Sequence, residues 1–152
     1  MIDQNLSAHI NTLSVEQLMP HVKPMVLLDQ LLRWGNHFAE CIVSHQHDNG
    51  FWDTNQQIPA YVGLEYMAQT ISVYSGILST LAGEPIRIGY LLGTRKFETN
   101  QLFMHRDQAV VIRVEEQFRN DDNIAVFDCK LSGDNVLMQA QLKVIQPHSI
   151  EF

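Results

Sequence analysis

Apolar positions recur along the chain in two rhythms. After Pro59, residues Leu64, Met67, Ala68, Ile71, Tyr74 and Leu78 follow the i, i+3, i+4, i+7 spacing of a helix. Val62, Val73 and Ile77 lie off that stripe, so the helix is expected to be apolar nearly all round and enclosed on most sides. Gly83 stands where a glycine would end it. Elsewhere the pattern is that of strands. Residues 25–34 are apolar after a Pro-bounded turn, Gly35-Asn36 marks a turn, and residues 37–44 alternate. Beyond the helix, strands are expected over residues 87–97, 109–118, 124–131 and 136–145, separated by Asn120-Asp121-Asp122-Asn123 and Gly133-Asp134-Asn135. Ser14-Val15-Glu16-Gln17 matches a capping box and predicts a short helix ending by Pro20. Residues 45–58 read as a polar loop interrupted by Phe51 and Trp52.

The expected order is a short helix, two strands, one long helix and four strands. Strands and helices do not alternate, so the fold class is α+β: a curved antiparallel sheet of about six strands wrapped around one buried helix. Residues 1–13 read as a loose leader, 14–147 as the domain and 148–152 as a tail.

The 152 residues match the length of a single domain. Hydrophobic residues at 45% exclude a disordered chain, and charged residues at 18% are few for a globular surface. A net charge of −7 argues against nucleic acid and against an anionic membrane surface as partners. Residues 58–83 contain Glu65, Gln69, Ser and Thr, so no membrane span is expected there. Cys41 and Cys129 are far apart with no CxxC spacing, and the first residues show neither a basic nor an apolar signal region. Free thiols in a reducing cytoplasm are therefore expected.

The few charges make one of them conspicuous. Between Asp53 and Glu84 the one charged residue is Glu65, early in the long helix, and no Lys or Arg occurs between Arg33 and Arg87. A carboxylate there needs a distant partner, water or a proton. Burial would raise its pKa and the helix dipole would lower it. Such an isolated ionisable group is a candidate for acid–base chemistry. The alternatives are a solvent gap or a structural pair with Arg87 or Arg95.

Several segments resemble one family. Gly63-Leu64-Glu65-Tyr66-Met67-Ala68-Gln69 resembles the segment that carries the catalytic acid in β-hydroxyacyl-acyl-carrier-protein dehydratases. Residues 18–29, LMPHVKPMVLLD, resemble that family's L-x-P-H-R-x-P-x-L-L-x-D opening, and Arg106-Asp107-Gln108 stands at its P-G-D-Q turn. The resemblance spans residues 14–146. It implies a hot-dog fold, dimerisation by joined sheets, active sites at the dimer interface and no cofactor. One departure matters. The family places a motif histidine 14 residues before the acid, and Phe51 stands there, in Gly50-Phe51-Trp52-Asp53. In this the chain resembles a dehydratase-like subgroup found with aryl-polyene synthesis, which also lacks that histidine.

Dehydration of a 3-hydroxyacyl thioester needs a base for the α-proton, an acid for the departing hydroxyl and donors for the thioester oxygen. The resemblance implies the acid role for Glu65. The opening amides of the helix, Ala60, Tyr61 and Val62, can donate. Phe51, Trp52 and Gln69 complete the expected substrate contacts. For the base, His21 matches a family histidine, while His45 and His47 precede Phe51; each has a bland alternative, a turn cap for His21 and a solvated loop for the other two. His45-x-His47 with Asp48 lacks a third local ligand for a metal.

Three functions remain open: a dehydratase acting on carrier-protein-bound chains, a hot-dog thioesterase, or a non-catalytic acyl-binding subunit paired with a complete dehydratase. An acidic carrier protein would need a local basic patch on this acidic chain, and Arg95, Lys96 and Arg106 are the candidates. The expected assembly is a homodimer or a heterodimer with another hot-dog subunit.

Overall fold

The computed structural model describes residues 3–46 and 50–147. The elements are α1 (Gln4–Thr12), α2 (Val15–Leu18), β1 (Gln30–Gly35), β2 (Phe38–Val43), β3 (Gln57–Pro59), α3 (Val62–Leu81), β4 (Tyr90–Thr99), β5 (Phe103–His105), β6 (Val110–Arg119), β7 (Ile124–Ser132) and β8 (Leu137–Ile145). Six strands form one antiparallel sheet in the order β1-β2-β6-β7-β8-β4, and β3 pairs with β5 as a separate ribbon. No helix among the described residues is long and apolar enough to cross a membrane.

The sheet curls around α3. Inward residues of β2, β6, β7 and β8 (Cys41, Ile112, Val114, Phe127, Leu131, Leu142) are fully or almost fully buried against Tyr66, Met67, Val73 and Tyr74 of the helix. The helix sits close to the sheet because Gly63 has no side chain. A Cβ there would lie 2.7 Å from Met138 Sδ. Gly76 permits a still closer approach, to the carbonyl of Leu18 at the end of α2. The α2 start is as its sequence predicts, with Ser14 N donating to Gln17 Oε1 at 2.9 Å. Gly83, at φ +68°, follows the Ala82 C-cap of α3 in the left-handed conformation that glycine tolerates.

Three expectations are corrected, and the segment read as a leader holds a helix. Among its described residues, α1 is capped by the Asp3 side chain, which accepts from Asn5 N, and it is anchored by the fully buried Ile10. Asn11 Oδ1 also accepts from Trp34 Nε1 at 2.8 Å. The first strand starts at Gln30 rather than residue 25, because a side chain of α3 takes up the backbone of residues 25–27 instead of a sheet neighbour. The strand expected from residue 87 begins at Tyr90. The end of the polar loop forms β3, which pairs with β5 beyond β4, each strand being three residues long.

The enclosure of α3 is also incomplete. It packs mainly on β6, β2 and β7, while β4 lies at the sheet edge. A strip of the helix stays open: Tyr61, Glu65 and Leu78 are exposed, and Ala68, Ser72 and Ser75 are half-buried. From Tyr90 to Lys96, β4 is exposed on both faces.

Candidate active site

Glu65 lies on that open strip, so it is not the buried carboxylate that the apolar pattern suggests. The pattern registers how apolar the helix is, and the sheet stops short of this face. Glu65 is held from one helical turn further on. Gln69, 1% exposed, accepts from Leu27 N through Oε1 at 2.9 Å. Its Nε2 donates to Met25 O at 2.8 Å and to Glu65 Oε1 at 3.0 Å. Both ends of the amide are thus committed, and Gln69 orients Glu65 rather than offering free groups to a substrate. Replacing Gln69 with Leu would orphan the Leu27 amide. The expected loss is about 1–3 kcal/mol of stability, read from the denaturant midpoint.

A groove of about 170 Å³ runs from Glu65 between the helix and the edge strand, lined by His21, Gln69, Ser72, Arg87 and Tyr90 among others. The structure therefore brings His21 and Glu65 to one groove. His21 Nδ1 is shielded from solvent and has no hydrogen-bond partner among the described residues. Arg87 faces the groove and pairs with Glu84 at 3.0 Å, so the structural pair considered for Glu65 is made elsewhere.

The other expected residues gather around the start of α3. Tyr61 is its exposed N-cap, and Val62 is buried. The Ala60 amide is not free, as it donates to Leu102 O at 2.9 Å and so extends the β3–β5 ribbon by one bond. Of the three expected donors, Tyr61 and Val62 remain. Phe51 is exposed, and Trp52 is half-buried beneath Arg106, whose guanidinium lies 4.6 Å from the ring centroid. Neither lines the Glu65 groove.

The basic residues do not converge. Arg106 belongs to a groove with His45 and Asn55, whereas Lys96 lines one on the outer face of the sheet with Glu98, Arg113, Asp128 and Lys130. Arg95 pairs in register with Gln141 on β8.

His45 is not a solvated loop residue. It is 2% exposed, with Nδ1 2.6 Å from Gln108 O and Nε2 2.9 Å from Tyr66 Oη. Both ring nitrogens are occupied, which removes it as a ready base. Burial holds its pKa below the ordinary 6.5, although the Gln108 carbonyl and Asp29 act the other way. His47 and Asp48 lie outside the described residues. Among the described residues no cluster of ligand-type side chains could hold a metal ion. Both cysteines are buried, and burial pushes their thiols up to about 12, which makes them poor nucleophiles.

The long helix held in a curled six-stranded antiparallel sheet is the hot-dog fold. The chain belongs to the ApeP-like family of ApeP dehydratases, whose family model matches residues 13–152. It is similar to a chain of the dehydratase heterocomplex ApeI:P from Xenorhabdus doucetiae, with 26% identity and a TM-score of 0.84 over 90% of this chain and 93% of that one. More distant structures share the fold alone. A conserved protein of Pseudomonas aeruginosa is 16% identical at a TM-score of 0.61, covering 86% of this chain and 97% of that one. A hypothetical thioesterase from Streptococcus pneumoniae, solved with coenzyme A, is 10% identical at 0.58, covering 80% and 88%. No curated protein shows a sequence match.

Proposed function

We propose that the chain is one subunit of a two-subunit 3-hydroxyacyl-thioester dehydratase and that it contributes Glu65 as the acid. One observation carries this reading. In a dehydratase-family chain, the sole charge of α3 stands on the one open strip of the helix, oriented by Gln69. The acyl chain lies in the groove beside Glu65. A base removes the α-proton, and the electron pair forms the Cα=Cβ bond as the β-hydroxyl departs. Glu65 protonates that hydroxyl, which leaves as water. The Tyr61 and Val62 amides face the thioester oxygen as negative charge develops on it.

Phe51 occupies the position of the family's base, so the base comes from a second hot-dog subunit. The similar chain from Xenorhabdus doucetiae, in a dehydratase heterocomplex, supports this arrangement. The edge strand β4 is the joining surface: Tyr90, Leu91 and Leu92 are each about half exposed, more apolar surface than a free sheet edge normally carries. Leu92→Glu is expected to leave the fold intact and abolish co-elution with the companion subunit in size-exclusion chromatography. The substrate is delivered by an acyl carrier protein in a reducing, cytoplasmic setting, which the two free thiols support.

A second reading has its own observation. His21 shares the groove with Glu65 and has an unpartnered Nδ1, so His21 could serve as the base in a site complete within this chain. Product analysis tests the reaction class. Incubation of the chain and its companion with a 3-hydroxyacyl thioester is expected to yield an enoyl thioester. Release of free thiol would mark a thioesterase instead. Activity of this chain alone that is lost in His21→Asn would favour the second reading.

A further inference from the structure

The groove beside Glu65 does not end at Arg87. A second cavity of about 240 Å³ lies over the C-terminal half of α3 and shares Ser75, Arg87 and Gln146 with the first. The shared residues join the two into one channel. Its wall on α3 is Glu65, Ala68, Ser72, Ser75 and Ser79, at spacings of three and four residues that keep to one face of the helix. From Glu65 to Ser79 is about 21 Å along the helix axis.

The chemistry changes along that length. Ala68, Ile71, Leu91, Val144 and Ile145 line the half nearer Glu65. The far half keeps Leu78 and Ala82 but adds Ser79, Arg119 and Asn123 to Arg87. Ser79 is the informative residue there. It is 7% exposed, yet its hydroxyl bonds to no described residue. Thr70 and Thr80 show the alternative, for each donates its hydroxyl to the carbonyl four residues back at 2.8 Å. A hydroxyl left unmet at such burial calls for a partner from outside the fold.

The two guanidinium groups also hold donors in reserve. Arg87 gives Nη2 to Glu84 at 3.0 Å, and Arg119 gives Nε to Glu116 and Nη1 to Asn123 Oδ1. A guanidinium has five N–H donors, so each keeps some for a ligand. Glu84 and Glu116 offset the two positive charges. The far half therefore presents hydrogen-bond donors rather than a net charge. The Arg87–Glu84 pair is partly exposed and so easily rearranged.

We propose that the far half of the channel is a subsite for the distal end of the acyl chain, that this end carries an oxygen acceptor, and that Ser79 and Arg87 select it. The proposal rests on the reading of the Glu65 groove as the place of the acyl chain. A methyl-ended chain would displace water from these donors and give them nothing in return. A site built to hydrogen-bond a group rejects the analogue that lacks it. A hydroxyl and a carboxylate both supply the acceptor.

Three 3-hydroxyacyl thioesters of equal length, ending in a methyl, a hydroxyl or a carboxylate, test this with the reconstituted pair. The better oxygen-ended chain is expected to exceed the methyl-ended one in kcat/KM by about tenfold or more. Ser79→Ala, which suits a helix, and Arg87→Met are each expected to bring that ratio to within about threefold of unity. Preference for the carboxylate would identify an anionic end, and preference for the hydroxyl a neutral one; both support the subsite. Equal kcat/KM for the three chains, or a preference that survives both substitutions, would overturn it. Binding separates this outcome from the fate of the proposed reaction. Amide analogues of the three thioesters are titrated into this chain alone by calorimetry. Tighter binding of an oxygen-ended analogue, lost in Ser79→Ala, would sustain the subsite even without dehydration. Dehydration with no such discrimination would keep the reaction and remove the subsite.

Discussion

Glu65→Gln is expected to reduce dehydration by the reconstituted pair by about 10²- to 10⁴-fold, the range for loss of a positioned acid–base group. The substitution suits the geometry. Glutamine has nearly the same shape, and its carbonyl oxygen can still accept from Gln69 Nε2, as Glu65 Oε1 does at 3.0 Å. What disappears is the ability to give up a proton to the departing hydroxyl. Stability should barely change, because Glu65 is exposed and forms no ion pair with any described residue. The expected change is within about 0.5 kcal/mol, as for an ordinary surface substitution. Substrate affinity should hold as well, so the loss falls on kcat. A drop of less than about threefold would remove Glu65 from the chemistry.

Gly76→Ala is expected to produce the largest loss of stability of any single methyl addition to α3. An ideal Cβ at Gly76 would lie 1.7 Å from the Leu18 carbonyl oxygen and 2.6 Å from its carbon. Both atoms are backbone, so no rotamer change relieves the clash, and α2 must move away from α3. That movement uncovers Leu18, which is fully buried, and loosens Val15, which is 3% exposed. Overpacking costs about 1–3 kcal/mol, and partial exposure of a leucine adds about 1 kcal/mol or more. The helix preference of Ala over Gly returns about 1 kcal/mol, which leaves a net loss of about 1–3 kcal/mol. For a chain of this length the melting temperature should fall by roughly 2–12 °C. A raised melting temperature would mean that helix propensity outweighs the contact and that α2 is free to shift.

The two helix glycines show what periodicity can and cannot reveal. The extent of α3, its Gly83 terminator and the isolation of Glu65 are local facts, readable from spacing alone. So are β6, β7 and β8, which alternate over most of their nine or ten residues. α1 is obscured because a single fully buried side chain, Ile10, anchors a polar segment. The β3–β5 ribbon is obscured because three residues are too few to show alternation. The site is legible only in part for a different reason. Glu65 and Gln69 stand out in the sequence, but the exposure of Glu65 depends on where the curled sheet ends, a tertiary fact. The spent amide of Ala60 and the Tyr66–His45 pair likewise depend on contacts 42 and 21 residues apart in the chain. The basic residues Lys96 and Arg106 are close in sequence yet line separate grooves, because the turn at residue 100 carries the chain from β4 to the ribbon.

Reconstitution is the most direct measurement of the shared site. Enoyl-thioester formation from a 3-hydroxyacyl thioester would be followed for this chain alone, for its companion hot-dog subunit alone and for the two mixed. The expected result is negligible turnover by either subunit and rapid turnover by the mixture, abolished when this chain carries Glu65→Gln. Equal turnover by the companion alone, or by the mixture containing Glu65→Gln, would contradict a catalytic role for this chain.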